Sequence, residues 1–149
     1  MFWDASAIIP LVFPESRSDD VAVLSTMPND LVMWWGTTVE CHAAAHRRHR
    51  EGKATTADVR AGLQRVRDLA SDALVVLPDD RLRARAERLL AAHPLKAADA
   101  LQLAAALTWC EEQPWNERFV CLDKRLREAA RKEGFSILPD DDQRDQSGQ

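Results

Sequence analysis

The chain has 149 residues, of which 46% are hydrophobic and 30% are charged, and its formal net charge is −4. This composition is ordinary for one soluble globular domain, and the length allows a substantial core. The acidic balance excludes a generally basic surface for nucleic acid, so any positive patch must be local. The three cysteines form no CxxC pair and favour a reducing compartment. No stretch has the length and apolar character of a membrane span, and Asp4 interrupts the apolar N-terminus, so we expect a cytoplasmic protein without a signal peptide.

Short apolar runs alternate with helical patterns along the chain. The runs predict strands ending at Trp3 and spanning 31–35, 74–77, 118–122 and 135–138. Helices are predicted at 5–13, 16–27, 38–50, 55–71, 80–92, 96–112 and 124–133, with caps at Ser16 or Ser18, Thr37, Thr55 or Thr56, and Asp79. This alternation predicts an α/β fold with a mostly parallel sheet of four to five strands, covered by helices on both faces. One domain is expected at 1–138, followed by a polar, flexible tail at 139–149.

Four acidic residues fall where a strand gives way to a helix or in the first turn of a helix. They are Asp4, Glu40, Asp99 and Asp123. Capping offers a structural alternative for three of them: Glu40 fits a capping box with Thr37, Asp99 suits a helix start, and Asp123 suits an N-cap. In a parallel sheet, however, all four positions collect at the carboxyl edge, where ligands bind. Neighbouring carboxylates repel by about 4 kcal/mol per close pair at an effective dielectric of about 20. The group therefore favours a divalent cation with oxygen ligands, Mg²⁺ or Mn²⁺.

Each acid lies in a short motif. The motifs are Asp4-Ala5-Ser6-Ala7, Val39-Glu40, Ala98-Asp99-Ala100-Leu101 and Leu122-Asp123-Lys124-Arg125-Leu126. In order and approximate spacing they resemble PIN-domain ribonucleases, and among these VapC-type toxins of bacterial type II toxin–antitoxin systems. The resemblance covers residues 1 to about 138. Cys121 departs from the family pattern, which often has Thr two residues before the fourth acid.

The resemblance implies a PIN-like three-layer α/β/α domain and a Mg²⁺-dependent endoribonuclease. Asp4, Glu40, Asp99 and Asp123 would be the catalytic, metal-holding residues, with Mn²⁺ as a substitute metal and Ser6 as a supporting hydrogen-bond partner. The implied partners are an RNA substrate and a VapB-type antitoxin, and we expect a homodimer. The chemistry agrees, because metal ions activate water towards a phosphodiester and a carboxylate accepts the water's proton.

Other features are weaker indicators. His42, His46 and His49 share a helical face that suits zinc, but this face lies away from Glu40 and has no clear fourth ligand, so a solvated or subunit-facing surface is favoured. Two arginine-rich helices would hold RNA phosphates only if they flank the acids; their arginines are Arg47, Arg48 and Arg50, and Arg81, Arg83, Arg85 and Arg88. Adjacent Trp34 and Trp35 are both expected in the core, and Trp109 and Trp115 fit either the core or a dimer surface.

Four alternative functions differ in the residues that they require. A PIN nuclease that matures RNA without a toxin role fits the same residues. A receiver-like signalling domain needs Lys after its last strand, where this chain has Pro139-Asp140. A haloacid-dehalogenase-type phosphatase needs a second Asp at the position of Ser6. A catalytically dead binding module is disfavoured by the complete set of acids.

Overall fold

The structure is a computed structural model that describes residues 1–141, and over that range it contains five strands and seven α-helices. The strands are β1 (Phe2–Trp3), β2 (Val32–Trp34), β3 (Leu74–Val76), β4 (Arg118–Val120) and β5 (Ser136–Leu138). The helices are α1 (Ala5–Val12), α2 (Ser18–Ser25), α3 (Thr37–Arg50), α4 (Thr56–Asp72), α5 (Asp80–Ala92), α6 (Ala97–Trp109) and α7 (Lys124–Glu133). A 3-10 turn at Pro114–Asn116 precedes β4.

The strands form one sheet in the order β3-β2-β1-β4-β5, and every neighbouring pair is parallel. The first strand therefore lies at the centre, where Phe2 pairs with Val32 on one side and Phe119 on the other. The prediction of a parallel sheet is confirmed. Because β1, β2 and β4 are neighbours, their carboxyl ends meet at one edge.

Side chains alternate between two cores on opposite faces of the sheet. Phe2 and Phe119 stack with ring centroids 5.4 Å apart and pack with buried residues of α5, α6 and α7. Trp3 and Val120, the next residues along the same strands, pack on the other face with residues of α1 to α4. The predicted three-layer α/β/α arrangement is thereby confirmed.

Most predicted helix boundaries agree with the structure, and the clearest exceptions are α2, α3 and α6. The N-cap of α2 is Arg17, which has no side-chain capping bond, so neither predicted serine caps this helix. Ser18 instead donates from Oγ to the carbonyl of Pro10 at 2.7 Å. Helix α6 ends at Trp109 rather than near residue 112, because the chain turns there through two glutamates with positive φ. The prediction that Thr37 caps α3 is also wrong, because Gly36 is the N-cap.

The four tryptophans named in the sequence analysis differ in exposure. Trp34 is 6% exposed and lies in the core, as predicted. The prediction is wrong for Trp35, which is 54% exposed because β2 ends one residue earlier. Trp115 is 66% exposed, whereas Trp109 packs partly buried against the core.

A buried arginine fastens the carboxyl end of the described chain. Arg127, on α7, is 3% exposed and donates to the carbonyls of Cys121, Leu138 and Pro139 at 2.7, 3.3 and 2.8 Å. It also donates to Asp141 Oδ1 at 2.8 Å. These bonds connect the end of β4 to the residues after β5, and the rest of the predicted tail lies outside the described residues.

Within residues 1–141, no helix combines the length and the apolar character that crossing a membrane requires.

Candidate active site

One pocket of about 560 Å³ opens at the carboxyl edge of the sheet. All four acids named from the sequence line it: Asp4, Glu40, Asp99 and Asp123. They come from the residue after β1, the first turn of α3, the first turn of α6 and the N-cap of α7. The topology thus brings together residues that are more than 100 positions apart in the chain. We call this site the acid pocket.

Asp4 lies at the bottom of the acid pocket and is only 3% exposed. It is the N-cap of α1, and its Oδ2 accepts bonds from the backbone N–H and the hydroxyl of Ser6 and from the thiol of Cys121, whose Sγ is 3.5 Å away. No described residue donates to Oδ1. Every fully buried polar side-chain atom in residues 1–141 has a hydrogen-bond partner. Since Oδ1 has none, this oxygen is not fully buried and is exposed to the pocket. Burial raises the pKa of Asp4 to about 6, against the opposing effect of the Ser6 hydrogen bonds.

Ser6 connects the ends of β1 and β4. Its hydroxyl donates to Asp4 and accepts from the backbone N–H groups of Leu122 and Asp123 at 2.9 and 3.3 Å. The thiol of Cys121 lies 3.6 Å from the same hydroxyl. Burial raises the pKa of Cys121, so this side chain stays a neutral donor towards Asp4. The contact is made by a thiol in the position where the family often has Thr.

Glu40 is held by an amide from another helix and not by a capping box. Gln102 Nε2 donates to Glu40 Oε1 at 2.9 Å and to Thr37 Oγ1 at 3.0 Å. Thr37 is therefore engaged with Gln102, which explains why it does not cap α3. Burial raises the pKa of Glu40 to about 7, and the charges of Asp4 and Asp99 add to this effect.

Asp99 and Asp123 lie nearer the mouth of the acid pocket. Asp99 is half-buried, and its pKa is raised by burial and by the charge of Asp123, while Lys96 and Arg125 oppose the shift. Asp123 is exposed and caps α7, because its Oδ1 accepts from the N–H of Leu126 at 2.9 Å. The capping alternative is therefore correct for Asp123, and the same side chain also lines the pocket.

Two cationic side chains also line the acid pocket. Arg47, on the last turns of α3, and Lys96, the N-cap of α6, lie among the pocket residues. Neither forms a salt bridge with a described residue. Four carboxylates against two cations leave an excess of negative charge, and an all-carboxylate donor set fits a hard divalent cation.

No group of three or more His, Cys, Asp or Glu side chains in residues 1–141 is already assembled at metal-binding distance. The acids share the pocket but are not in contact as a cluster.

Other sequence features lie away from the acid pocket. None of His42, His46 and His49 lines it, and His49 Nδ1 is 3.0 Å from the carbonyl of Ala54, so the structure gives no support to a zinc site. The arginines of α5 do not line it either; Arg85, for example, pairs with Glu112 at 2.9 Å. Of the two arginine-rich helices, only α3 flanks the acids.

Sequence reasoning did not identify the roles of Lys96, Gln102 and Thr37. Gln102 carried a signal, because Asp99 and Gln102 are the only polar residues of an otherwise apolar helix and lie three positions apart on one face. For Lys96, the only signal in the sequence was its position directly before this helix. The contact between Thr37 and Gln102 joins residues 65 positions apart and has no local signature.

Parallel α/β proteins with carboxylates at the carboxyl edge are the class that this fold and pocket define. The chain belongs to the PIN domain family, whose model matches residues 1–132. A comparison with curated protein sequences finds no match.

Solved structures share the fold at low sequence identity. VapC20 of Mycobacterium tuberculosis, described as a Sarcin-Ricin loop cleaving toxin, is 17% identical, with a TM-score of 0.65 over 86% of this chain and 93% of that chain. FitAcB from Neisseria gonorrhoeae is 16% identical, with a TM-score of 0.63 over 91% and 94%. A toxin–antitoxin complex from Klebsiella pneumoniae is 18% identical, with a TM-score of 0.59 over 83% and 88%. At such identities the likeness establishes the fold.

Proposed function

We propose that this protein is a divalent-cation-dependent endoribonuclease that acts as the toxin of a toxin–antitoxin pair. The observation that carries the proposal is the convergence of Asp4, Glu40, Asp99 and Asp123 on one pocket at the carboxyl edge of a PIN domain. The toxin role has separate support, since one structural neighbour is a toxin–antitoxin complex and another is a toxin described as cleaving the Sarcin-Ricin loop.

The four acids would hold Mg²⁺ or Mn²⁺. When bound, the metal supplies a Lewis acid that activates water and stabilises the charge of an in-line attack on a phosphodiester. Asp4 is oriented for this task by Ser6 and Cys121, which occupy Oδ2 and leave Oδ1 to the pocket. A pocket carboxylate accepts the proton of the attacking water.

Arg47 and Lys96 supply the opposite charge. Acids alone would repel an RNA backbone, so an acidic pocket that cuts RNA needs cations beside it. Both side chains line the acid pocket and have no salt-bridge partner among residues 1–141, so their charges are available to phosphates. Arg47 and Lys96 would not select the RNA sequence, since phosphate contacts position the strand without reading its bases.

The antitoxin would silence the enzyme by placing an Arg or Lys side chain among the acids. A cavity of about 330 Å³ lies between the end of α1 and helices α3 and α4, and Phe13 and Arg48 are among its lining residues. This cavity, with its apolar and charged lining, suits the apolar anchors of such an inhibitory segment.

Cleavage by the purified protein tests the nuclease. Protein freed of antitoxin should cut RNA with Mg²⁺ or Mn²⁺ and stop in EDTA. Asp4→Asn, Asp99→Asn and Asp123→Asn should each lose activity, whereas Asp20→Asn, on the exposed face of α2, should keep it. Cleavage that persists in EDTA, or in all three pocket variants, would refute the metal mechanism.

Expression in cells tests the toxin role. Wild type should arrest growth when expressed alone, and Asp4→Asn should not. Co-expression of a small protein encoded directly upstream should restore growth and yield an inactive complex. If active wild-type nuclease leaves growth unaffected, the RNA-maturation alternative replaces the toxin role.

A further inference from the structure

A buried glutamine connects two of the helices that form the acid pocket. Gln102, on α6, is fully buried at 0% exposure, one turn after Asp99. Its amide reaches α3 and contacts Thr37 and Glu40, which lie on the first turn of that helix. Helix α6 therefore contributes one acid to the pocket and donates a hydrogen bond to a second.

The hydrogen-bond pattern determines the orientation of the amide. Gln102 Nε2 donates to Glu40 Oε1 at 2.9 Å and to Thr37 Oγ1 at 3.0 Å, and the Thr37 hydroxyl also lies 3.4 Å from Gln102 Oε1, so the carboxylate decides which way the amide faces. Rotating the amide by 180° would place its carbonyl oxygen against a carboxylate, which is unfavourable. In this orientation the amide presents a donor to Glu40 Oε1. No described residue donates to Oε2, so this oxygen remains for the pocket.

Glutamate is long and flexible, and without a partner its carboxylate would sample several rotamers and face solvent. The amide removes this freedom without adding charge. A lysine in the same place would pair with Glu40 and compete with a cation, whereas glutamine brings no charge of its own. Hydrogen bonds of this kind orient carboxylates that bind metals.

We propose that Gln102 is a positioning residue that fixes Glu40 in the acid pocket and thereby sets the affinity of the chain for a divalent cation. The inference rests on the proposed function, because it takes the acid pocket to be the metal site. It assigns Gln102 no contact with the metal or the RNA. Its effect passes through Glu40.

Calorimetric titration of the full, metal-free chain with Mn²⁺ tests this role. Gln102→Met keeps the approximate length and apolar body of the side chain but removes both donors. We expect its Mn²⁺ affinity to fall about 10- to 100-fold, the usual effect of removing a group that orients a metal ligand. Thr37→Val is the matched control, because it removes the other partner of the amide and leaves the bond to Glu40. Its Mn²⁺ affinity should fall much less than that of Gln102→Met.

A double-mutant cycle separates positioning from general damage to the fold. If Gln102 acts through Glu40, Gln102→Met should have no further effect on Mn²⁺ affinity in a Glu40→Gln background. Equal losses in both backgrounds, or wild-type affinity in Gln102→Met, would overturn the proposal. Should the methionine variant fail to fold in EDTA, Gln102→Asn, an amide one methylene shorter, carries the same expectation. Wild type that binds no Mn²⁺ would refute the proposed function, and this inference with it, whereas binding unchanged by the Gln102 variants refutes the inference alone.

Discussion

Replacing Asp4 with Asn should stabilise the metal-free protein while abolishing cleavage. Asp4 is 3% exposed and has a pKa of about 6, against an ordinary value of 3.8. Its charged form is therefore less stable in the folded chain than in the unfolded chain at neutral pH. The difference between these pKa values corresponds to about 3 kcal/mol, which is the cost of keeping this carboxylate ionised when no cation is bound.

Asparagine fits the geometry of the site. Its Oδ1 can take the place of Asp4 Oδ2 and accept from Ser6 and Cys121, while its NH₂ group faces the other carboxylates. Neutral hydrogen bonds are weaker than charge-assisted ones, so we expect a net gain of about 1–3 kcal/mol at pH 7 in EDTA. For a chain of this size, that gain raises Tm by roughly 3–10 °C.

Urea unfolding in EDTA at several pH values measures this effect. The gain should vanish near pH 4, where the carboxyl group of the folded wild type is already neutral. Asp20→Asn, which removes an exposed charge paired with Arg17, should shift stability by less than about 0.5 kcal/mol. If Asp4→Asn is less stable than wild type at pH 7 in EDTA, the carboxylate is a structural hydrogen-bond acceptor and the argument from buried charge is wrong.

Three further predictions follow from the same structure. Asp4 and Glu40 bind protons more tightly in the folded than in the unfolded chain, with pKa values of about 6 and about 7. The free energy of unfolding of the metal-free protein should therefore fall as pH rises from about 4 to 7, and a free energy that does not change with pH in unfolding experiments would contradict these pKa values. Arg47→Ala should raise KM for RNA and flatten its salt dependence with little effect on kcat, whereas Arg50→Ala, on the same helix but outside the pocket, should do neither in steady-state assays. Gly62→Ala should lower the free energy of unfolding by about 1–3 kcal/mol in denaturant melts, because the added Cβ would lie 1.9 Å from a ring carbon of Phe13. If the variant is as stable as wild type, the Phe13 ring can move aside.

The parts of the fold that local patterns encode were predictable. Turn residues and apolar runs located five strands and seven helices. The rule that parallel strands end at one edge predicted that Asp4 and Asp123 lie close together. Asp79 caps α5 as predicted, and Thr55, one of the two threonines proposed, caps α4; in both cases the partner lies three residues away.

Features that depend on distant partners were not predictable. Thr37 and Glu40 have the spacing of a capping box, and nothing nearby in sequence shows that Gln102 engages both side chains. Trp35 has the character of a core residue, but its exposure depends on β2 ending at Trp34. That the four acids share a pocket follows from topology, whereas their role as metal ligands stays a prediction.

The bonds of Arg127 make the edge that carries Asp123 dependent on the last few residues of the described chain. A chain shortened after Leu138 would lose the acceptors at Pro139 and Asp141, leaving a buried guanidinium with only two carbonyls. Buried charge that loses its partners is strongly destabilising, and Arg127 also donates to the carbonyl of Cys121, two positions before Asp123. The segment at 139–141 thus anchors the edge that carries Asp123, so a truncation before it is not a neutral choice.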